Sequence, residues 1–210
     1  MKPQALSADP FNLIITGVGG QGNVLASKLI GNILAAQGCY VTIGETFGAS
    51  QRGGSVMSHL RISSKSVLSP QIPKGNAHAV VALEPTEAIR VLQEYGNPKV
   101  KMIVNTRPVY SLGVICGEVS YPGGKDLLGW MQKLTGQCWL VDATDQAVKL
   151  GNPILGNVLL VGALAGVGDL PIDRESFREV IARTVPAGKV DINLQAFDRG
   201  LETVRSSFNR

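Results

Sequence analysis

Short apolar runs alternate with stretches of helical period along most of the chain. Asn12-Leu13-Ile14-Ile15-Thr16 is apolar and β-branched, and it predicts a buried strand. From Asn23 the apolar residues fall at helical spacing (Val24, Leu25, Leu29, Ile33, Leu34), and Gly38 is placed to cap that helix. Further strands are predicted over 40–43, 56–62, 79–83, 100–105 and 138–141. The run 56–62 alternates apolar with polar residues, so it reads as half-exposed, and the glycine-punctuated 113–122 reads as an edge strand. A helix running to about Tyr95 opens on Pro85 and Glu87, with others over 125–134, 173–184 and 193–206. Asp142 is placed to cap a short helix ending near Leu150. The strongly apolar stretch 154–167 predicts a buried helix on which Asn157 is the main polar residue.

Alternation of this kind implies an α/β fold, a doubly wound, mostly parallel sheet with helices on both faces. Residues 1–10 read as a flexible lead-in and 11–210 as one domain, in keeping with the length of 210 residues. Ligands of such folds bind beyond the carboxyl ends of the strands.

The first strand runs directly into Gly17-Val18-Gly19-Gly20-Gln21-Gly22, in which Gly17, Gly19 and Gly22 hold G-x-G-x-x-G spacing. That spacing gives a tight turn, close backbone approach, and a helix N-terminus whose N–H groups and dipole favour an anion, most plausibly phosphate. The opposing reading is that the glycines only let helix pack on strand. A second glycine-rich loop, Gln51-Arg52-Gly53-Gly54, follows the second strand and falls on the same rim. Its single guanidinium suits a phosphate or carboxylate, or equally the loop's own carbonyls. Glu45 stands roughly 20 residues past the glycines, where a dinucleotide-binding protein carries its ribose acid. A nicotinamide-binding oxidoreductase therefore stays open beside a loop carboxylate.

Composition narrows the choices. Hydrophobic residues make up 44% and charged residues 17%, a compact profile with apolar surface left for a partner subunit. The net charge of +4 is scattered and aromatics are only 5%, which speaks against nucleic-acid binding. Three cysteines (Cys39, Cys116, Cys138) are too few for an iron–sulfur cluster and lack metal-ligand spacing. They favour a reducing compartment, and with no signal peptide or membrane span evident the expectation is a cytoplasmic protein. His59 and His78 have no evident acid or nucleophile beside them, so no triad is supported. There is no P-loop run, and no carboxylate pair stands out. The chain carries an anion-binding rim and little that could break bonds.

The ordered set of motifs resembles the gamma domain of 2-oxoacid:ferredoxin oxidoreductases. It comprises the 17–22 turn with Ala26 and Leu29, then Gln51-Arg52-Gly53-Gly54-Ser55, Ser69-Pro70 with Ile72-Pro73, and Ala82-Leu83-Glu84-Pro85. Val104-Asn105-Thr106-Arg107-Pro108, Asn157 with Gly162-Ala163-Leu164, and Asn193, Ala196-Phe197 and Gly200 follow. The Gln-Arg-Gly-Gly-Ser run with Ser-Pro-x-Ile-Pro is most similar to the members acting on indolepyruvate. The resemblance implies a subunit of an enzyme that oxidatively decarboxylates arylpyruvates to an acyl-coenzyme A, carbon dioxide and reduced ferredoxin. It implies thiamine diphosphate and iron–sulfur clusters on a larger alpha-type partner chain, ferredoxin reached through the complex, and an isolated chain that is inactive and able to self-associate as a homodimer. It implies that this domain closes over the active site and helps bind coenzyme A. Gly17, Gly19, Gly20, Gln21 and Gly22 would supply backbone donors, Arg52 with Gly53 and Gly54 a guanidinium loop, and Asn157 a polar contact. A non-catalytic scaffold is the remaining alternative.

Overall fold

The computed structural model describes residues 6–48, 54–110 and 112–207, the side chains at 112 and 113 excepted. Six strands form one sheet: β1 (Phe11–Val18), β2 (Tyr40–Phe47), β3 (Ser55–Ser63), β4 (Ala79–Ala82), β5 (Lys101–Asn105) and β6 (Gln137–Val141), in the order β2-β3-β1-β4-β5-β6. β1, β4, β5 and β6 are parallel, while β3 runs antiparallel to both β1 and β2. β1 is buried over its full length, which is why it reads as an unbroken apolar run rather than an alternation.

The helices are α1 (Asn23–Ala36), α2 (Pro85–Tyr95), α3 (Leu112–Ile115), α4 (Gly124–Leu134), α5 (Ala143–Lys149), α6 (Gly156–Val167), α7 (Arg174–Thr184) and α8 (Val190–Ser207). Two apolar clusters lie on opposite faces of the sheet. Leu13, Ile15, Leu60, Val81 and Ile103 meet residues of α1, α6, α7 and α8 on one face. Ile14, Val80, Met102 and Val104 meet Ala88, Val91, Leu92, Leu127 and Met131 of α2 and α4 on the other. The doubly wound architecture is thus the one the alternating pattern predicts.

Several local expectations change. The β2–β3 hairpin places β3 between β1 and β2, so the first two strands are not neighbours. Being interior, β3 is buried on both faces rather than half-exposed, Ser58 and His59 included. No strand forms over the described part of 113–122; a single helical turn, α3, stands at its start. Asp142 precedes α5 without making a side-chain cap, whereas Asp173 closes a reciprocal capping box with Ser176 on α7. In the described part of 1–10, Ser7 N–H donates to Asp169 O at 3.4 Å, and Asp9 accepts from the Ser64 N–H and hydroxyl.

α6 and α8 cross at backbone contact. A Cβ on Gly162 would run into the Phe197 carbonyl, and one on Gly200 into the Leu159 carbonyl, so glycine is what permits the approach. Phe177 of α7 and Phe197 of α8 stack with ring centroids 4.5 Å apart and fix the pair from outside. This packing holds the N-terminus of α6, and with it Asn157, against the glycine turn after β1. No helix among the described residues is long and apolar enough to cross a membrane.

Candidate functional site

The glycine turn lies at the carboxyl end of β1, at the centre of the sheet, and much of it is braced from within. Gln21 folds back so that its Oε1 accepts from Val18 N–H at 2.7 Å, while its Nε2 donates to Leu83 O at 2.9 Å. Gly19 N–H donates to Gly54 O at 2.8 Å, and Gln21 N–H to Val18 O at 3.2 Å. Gly17 is a packing glycine: a Cβ there would sit 2.7 Å from Gln21 Oε1 and 2.9 Å from Leu83 Cβ. Gly17, Gly19, Gln21 and Gly54 therefore shape the turn, and the main-chain donor role expected of Gly19 and Gln21 is taken up inside the chain.

Open donors remain one step further on. Gly22 has φ +89° and is the N-cap of α1, which has no side-chain cap. Among the described residues nothing accepts from the N–H groups of Gly20, Gly22, Asn23, Val24 or Leu25. An uncapped helix start of 14 residues carries partial positive charge with unsatisfied donors, the local chemistry of an anion site.

Asn157 leans over this helix start, so close that a Cβ on Gly22 would collide with its Nδ2. It is 2% exposed, and neither its Nδ2 nor its Oδ1 has a partner; Asn23 Oδ1 is likewise unpartnered. Buried polar atoms left open in an ordered core are uncommon, and each is destabilising unless something arrives to satisfy it. Asn157 borders a cleft of about 460 Å³ with Gly20, Gln21, Asn105, Arg107 and Thr144, and Asn23 borders another hollow of about 310 Å³ with Gly20, Gly22 and Val24.

The far wall of the cleft is built by two side chains that sequence reasoning left unassigned. Asn105 bonds Leu83 O and Thr144 Oγ1 through Nδ2, and its Oδ1 accepts from Ala143 and Thr144 N–H, tying β5 to the start of α5. Glu84, fully buried, caps α2 by accepting from Glu87 N–H at 2.9 Å and Thr86 Oγ1 at 2.6 Å. Its other oxygen accepts from Tyr121 Oη at 2.6 Å and from Val109 N–H at 3.5 Å. Burial and the adjacent carboxylate push the Tyr121 hydroxyl far above its ordinary pKa, so it stays a donor. This pegs the segment after β5 across the rim and sets Arg107 at the cleft, where its guanidinium also reaches Asp145 Oδ1 at 3.1 Å. The signal for Arg107 was present in the sequence, as an arginine two residues beyond a strand end.

Arg52 and Gly53 lie outside the described residues. Glu45 does not meet the glycine turn: with β3 interposed it stands two strand spacings from β1, about 10 Å, and lines a separate hollow with His59, Arg90 and Glu94. The ribose-acid role for Glu45 is therefore corrected. His59 accepts from Ile72 N–H at 3.3 Å and His78 from Asn12 N–H at 3.0 Å. Burial lowers the pKa of both, holding them neutral. Burial raises the Cys39 thiol and pushes Cys138 up to about 11, far from an activated nucleophile. Among the described residues no group of three or more His, Cys, Asp or Glu could hold a metal ion. The described residues are arranged to grip and orient a ligand.

Comparison with known proteins converges on one family. Residues 12–203 match the sequence profile described as pyruvate ferredoxin/flavodoxin oxidoreductase. The chain is 34% identical to the indolepyruvate oxidoreductase subunit IorB of Pyrococcus horikoshii, over 95% of its own length and 98% of the relative's. It is 37% identical to the Archaeoglobus fulgidus protein of the same description, over 90% and 93%. Among solved structures, pyruvate oxidoreductase subunit PORC from Thermotoga maritima superposes with a TM-score of 0.68 at 24% identity, over 93% and 97%. A 2-oxoglutarate:ferredoxin oxidoreductase from Magnetococcus marinus, solved with 2-oxoglutarate, coenzyme A and succinyl-CoA bound, gives a TM-score of 0.73 at 17% identity, over 95% of this chain and 32% of that one. The two structural likenesses speak to fold.

Proposed function

Because the chain belongs to the pyruvate ferredoxin/flavodoxin oxidoreductase family, we propose that it serves as the small subunit of a 2-oxoacid:ferredoxin oxidoreductase that acts on indolepyruvate or related arylpyruvates. Its task in this reading is to bind the phosphates of coenzyme A and to close over the active site while the 2-oxoacid is decarboxylated and its acyl group passes to the thiol. Thiamine diphosphate and the iron–sulfur clusters, which supply carbanion stabilisation and electron transfer when bound, are assigned to a larger alpha-type partner chain that also delivers electrons to ferredoxin. The isolated subunit is inactive on this account, and the assembly is cytoplasmic.

The observation that carries the reading is the open helix start. Of its unpartnered N–H groups, that of Gly20 borders a cleft large enough for part of a nucleotide, which Asn157 with its buried, unsatisfied amide also borders, while Gly22, Asn23 and Val24 border another hollow that shares Gly20. The residues fit an extended phosphorylated ligand. Gly20, Gly22 and the first turn of α1 would donate to the pyrophosphate, and Arg107 would supply a guanidinium from the opposite wall. Arg52 and Gly53 are assigned a second cationic contact from the loop before β3. This chain contributes position and charge complementarity alone: it orients the coenzyme, holds it where water is excluded, and leaves proton and electron movement to its partner.

The test is kinetic, on the reconstituted complex. Arg107→Ala and Arg52→Ala should each raise KM for coenzyme A about tenfold, the loss of one charge-assisted contact, with the effect concentrated in KM. Unchanged KM in both variants would remove the guanidinium roles. Unchanged coenzyme A affinity in a complex carrying Gly22→Ala would remove the site.

A further inference from the structure

Asn157 borders more than one hollow. A second hollow of about 280 Å³ lies on the other side of this residue, among Leu25, Leu150, Val158, Ile192, Asn193 and Lys189. Asn152, Ile154 and Asn157 border both hollows, so Asn157 stands where the two adjoin. The two differ in character. The first offers the Gly20 amide and a guanidinium, whereas the second is walled mainly by aliphatic side chains with amides and one ammonium at its edge.

The Asn157 amide says what must reach this junction. Both of its polar atoms are buried without partners, one a donor and one an acceptor on a single planar group. A phosphate can accept from Nδ2, but it has no hydrogen to offer Oδ1 and would repel it. An anion alone therefore leaves the amide half satisfied.

We propose that Asn157 recognises a paired donor–acceptor edge on the ligand, one that lies beyond the phosphates and enters the aliphatic hollow. The inference rests on the coenzyme A reading above and adds the part of the molecule that is read. Coenzyme A carries such edges at two places, the amino edge of adenine and the amides of the pantetheine arm. The adenine edge matches a carboxamide two-point contact, of the kind by which asparagine selects adenine in nucleic acids, whereas the trans amides of the arm point N–H and C=O to opposite sides and would supply donor and acceptor from two successive amides. The aliphatic walls suit a planar base or an alkyl amide equally, and Lys189 stands at the rim for a terminal phosphate.

The experiment uses the reconstituted complex and Asn157→Leu, which keeps the shape of the side chain and removes both polar atoms. Three probes compete with coenzyme A: adenosine 3′,5′-bisphosphate, 4′-phosphopantetheine and inorganic pyrophosphate. The substitution should raise KM for coenzyme A about tenfold or more, in line with a two-point contact. It should raise the inhibition constant of one organic half by a similar factor and leave that of pyrophosphate within about twofold. The half that responds identifies the edge. An unchanged KM would overturn the proposal. So would a loss of pyrophosphate inhibition as large as that of the halves, since Asn157 would then serve phosphate alone. Failure of the coenzyme A reading would look different, with none of the three probes competing in the unsubstituted complex, and it would overturn the proposal with it. Thermal melting of the variant, expected at or above that of the unsubstituted chain, confirms that it folds.

Discussion

Replacing Asn157 by leucine should stabilise the isolated chain while weakening its ligand. The two unpartnered amide atoms are buried among Gly22, Leu160 and their neighbours with 2% of the residue exposed. Leaving a buried polar group unsatisfied costs about 1–3 kcal/mol, and an apolar group of the same shape removes that cost. Leucine also has the higher helix propensity, by roughly 0.5 kcal/mol, so only a gain above that reports on the amide. In a chain of this size about 1 kcal/mol moves the melting temperature by about 2–4 °C. The expected rise from the amide is therefore roughly 2–12 °C. Differential scanning calorimetry of the ligand-free chain reads it directly, and added coenzyme A should stabilise the variant less than the unsubstituted protein. A melting temperature lowered by several degrees would show that the amide already contributes to the fold, and the argument for an unmet ligand contact would fail.

Gly22→Ala should be destabilising twice over, by about 1–2 kcal/mol for a left-handed alanine plus the collision with Asn157, and denaturant midpoints would show it. Gly200→Ala should separate α6 from α8 and cost at least about 1–3 kcal/mol by overpacking; a midpoint equal to that of the unsubstituted chain would contradict the crossing. Tyr121→Phe removes one hydrogen bond to the buried Glu84 carboxylate and should cost about 1.5–3 kcal/mol, with faster amide exchange around Val109. For the histidines the sign follows from burial. Their folded pKa values lie below the unfolded value of about 6.5, so the unfolded chain binds more protons as pH falls. Stability is full above that value and declines as pH drops through it, and His59→Gln with His78→Gln should flatten the melting-temperature profile between about pH 7.5 and 5.

Most of the fold was legible because its interior strands are buried on both faces and its helices carry clear stop signals. The 11–16 run, the 84–95 helix with its Pro85 start and the apolar 154–167 stretch each announce themselves through a period or a cap. What escaped was pairing. Nothing in 40–63 distinguishes a hairpin that inserts β3 beside β1 from a simple crossover, since either gives two apolar segments of similar length. That ambiguity carried the Glu45 assignment with it. In the site, the glycine spacing located the turn but not which amides remain open. That depends on Gln21 folding back onto Val18 and on Gly54 reaching Gly19, contacts between residues up to 35 positions apart. Arg107 went unassigned for a related reason: its position two residues past a strand end was a local cue, but its place at the cleft depends on Glu84 holding Tyr121 and Val109, a tertiary peg.

Hydrogen–deuterium exchange on the assembled complex, with and without coenzyme A, addresses the main proposition most directly. The open amides of Gly20, Gly22, Asn23, Val24 and Leu25 should exchange rapidly in the free complex and slow markedly when the coenzyme is bound. Coenzyme A that binds, supports turnover and leaves exchange across that turn unchanged would place its phosphates elsewhere and contradict the account.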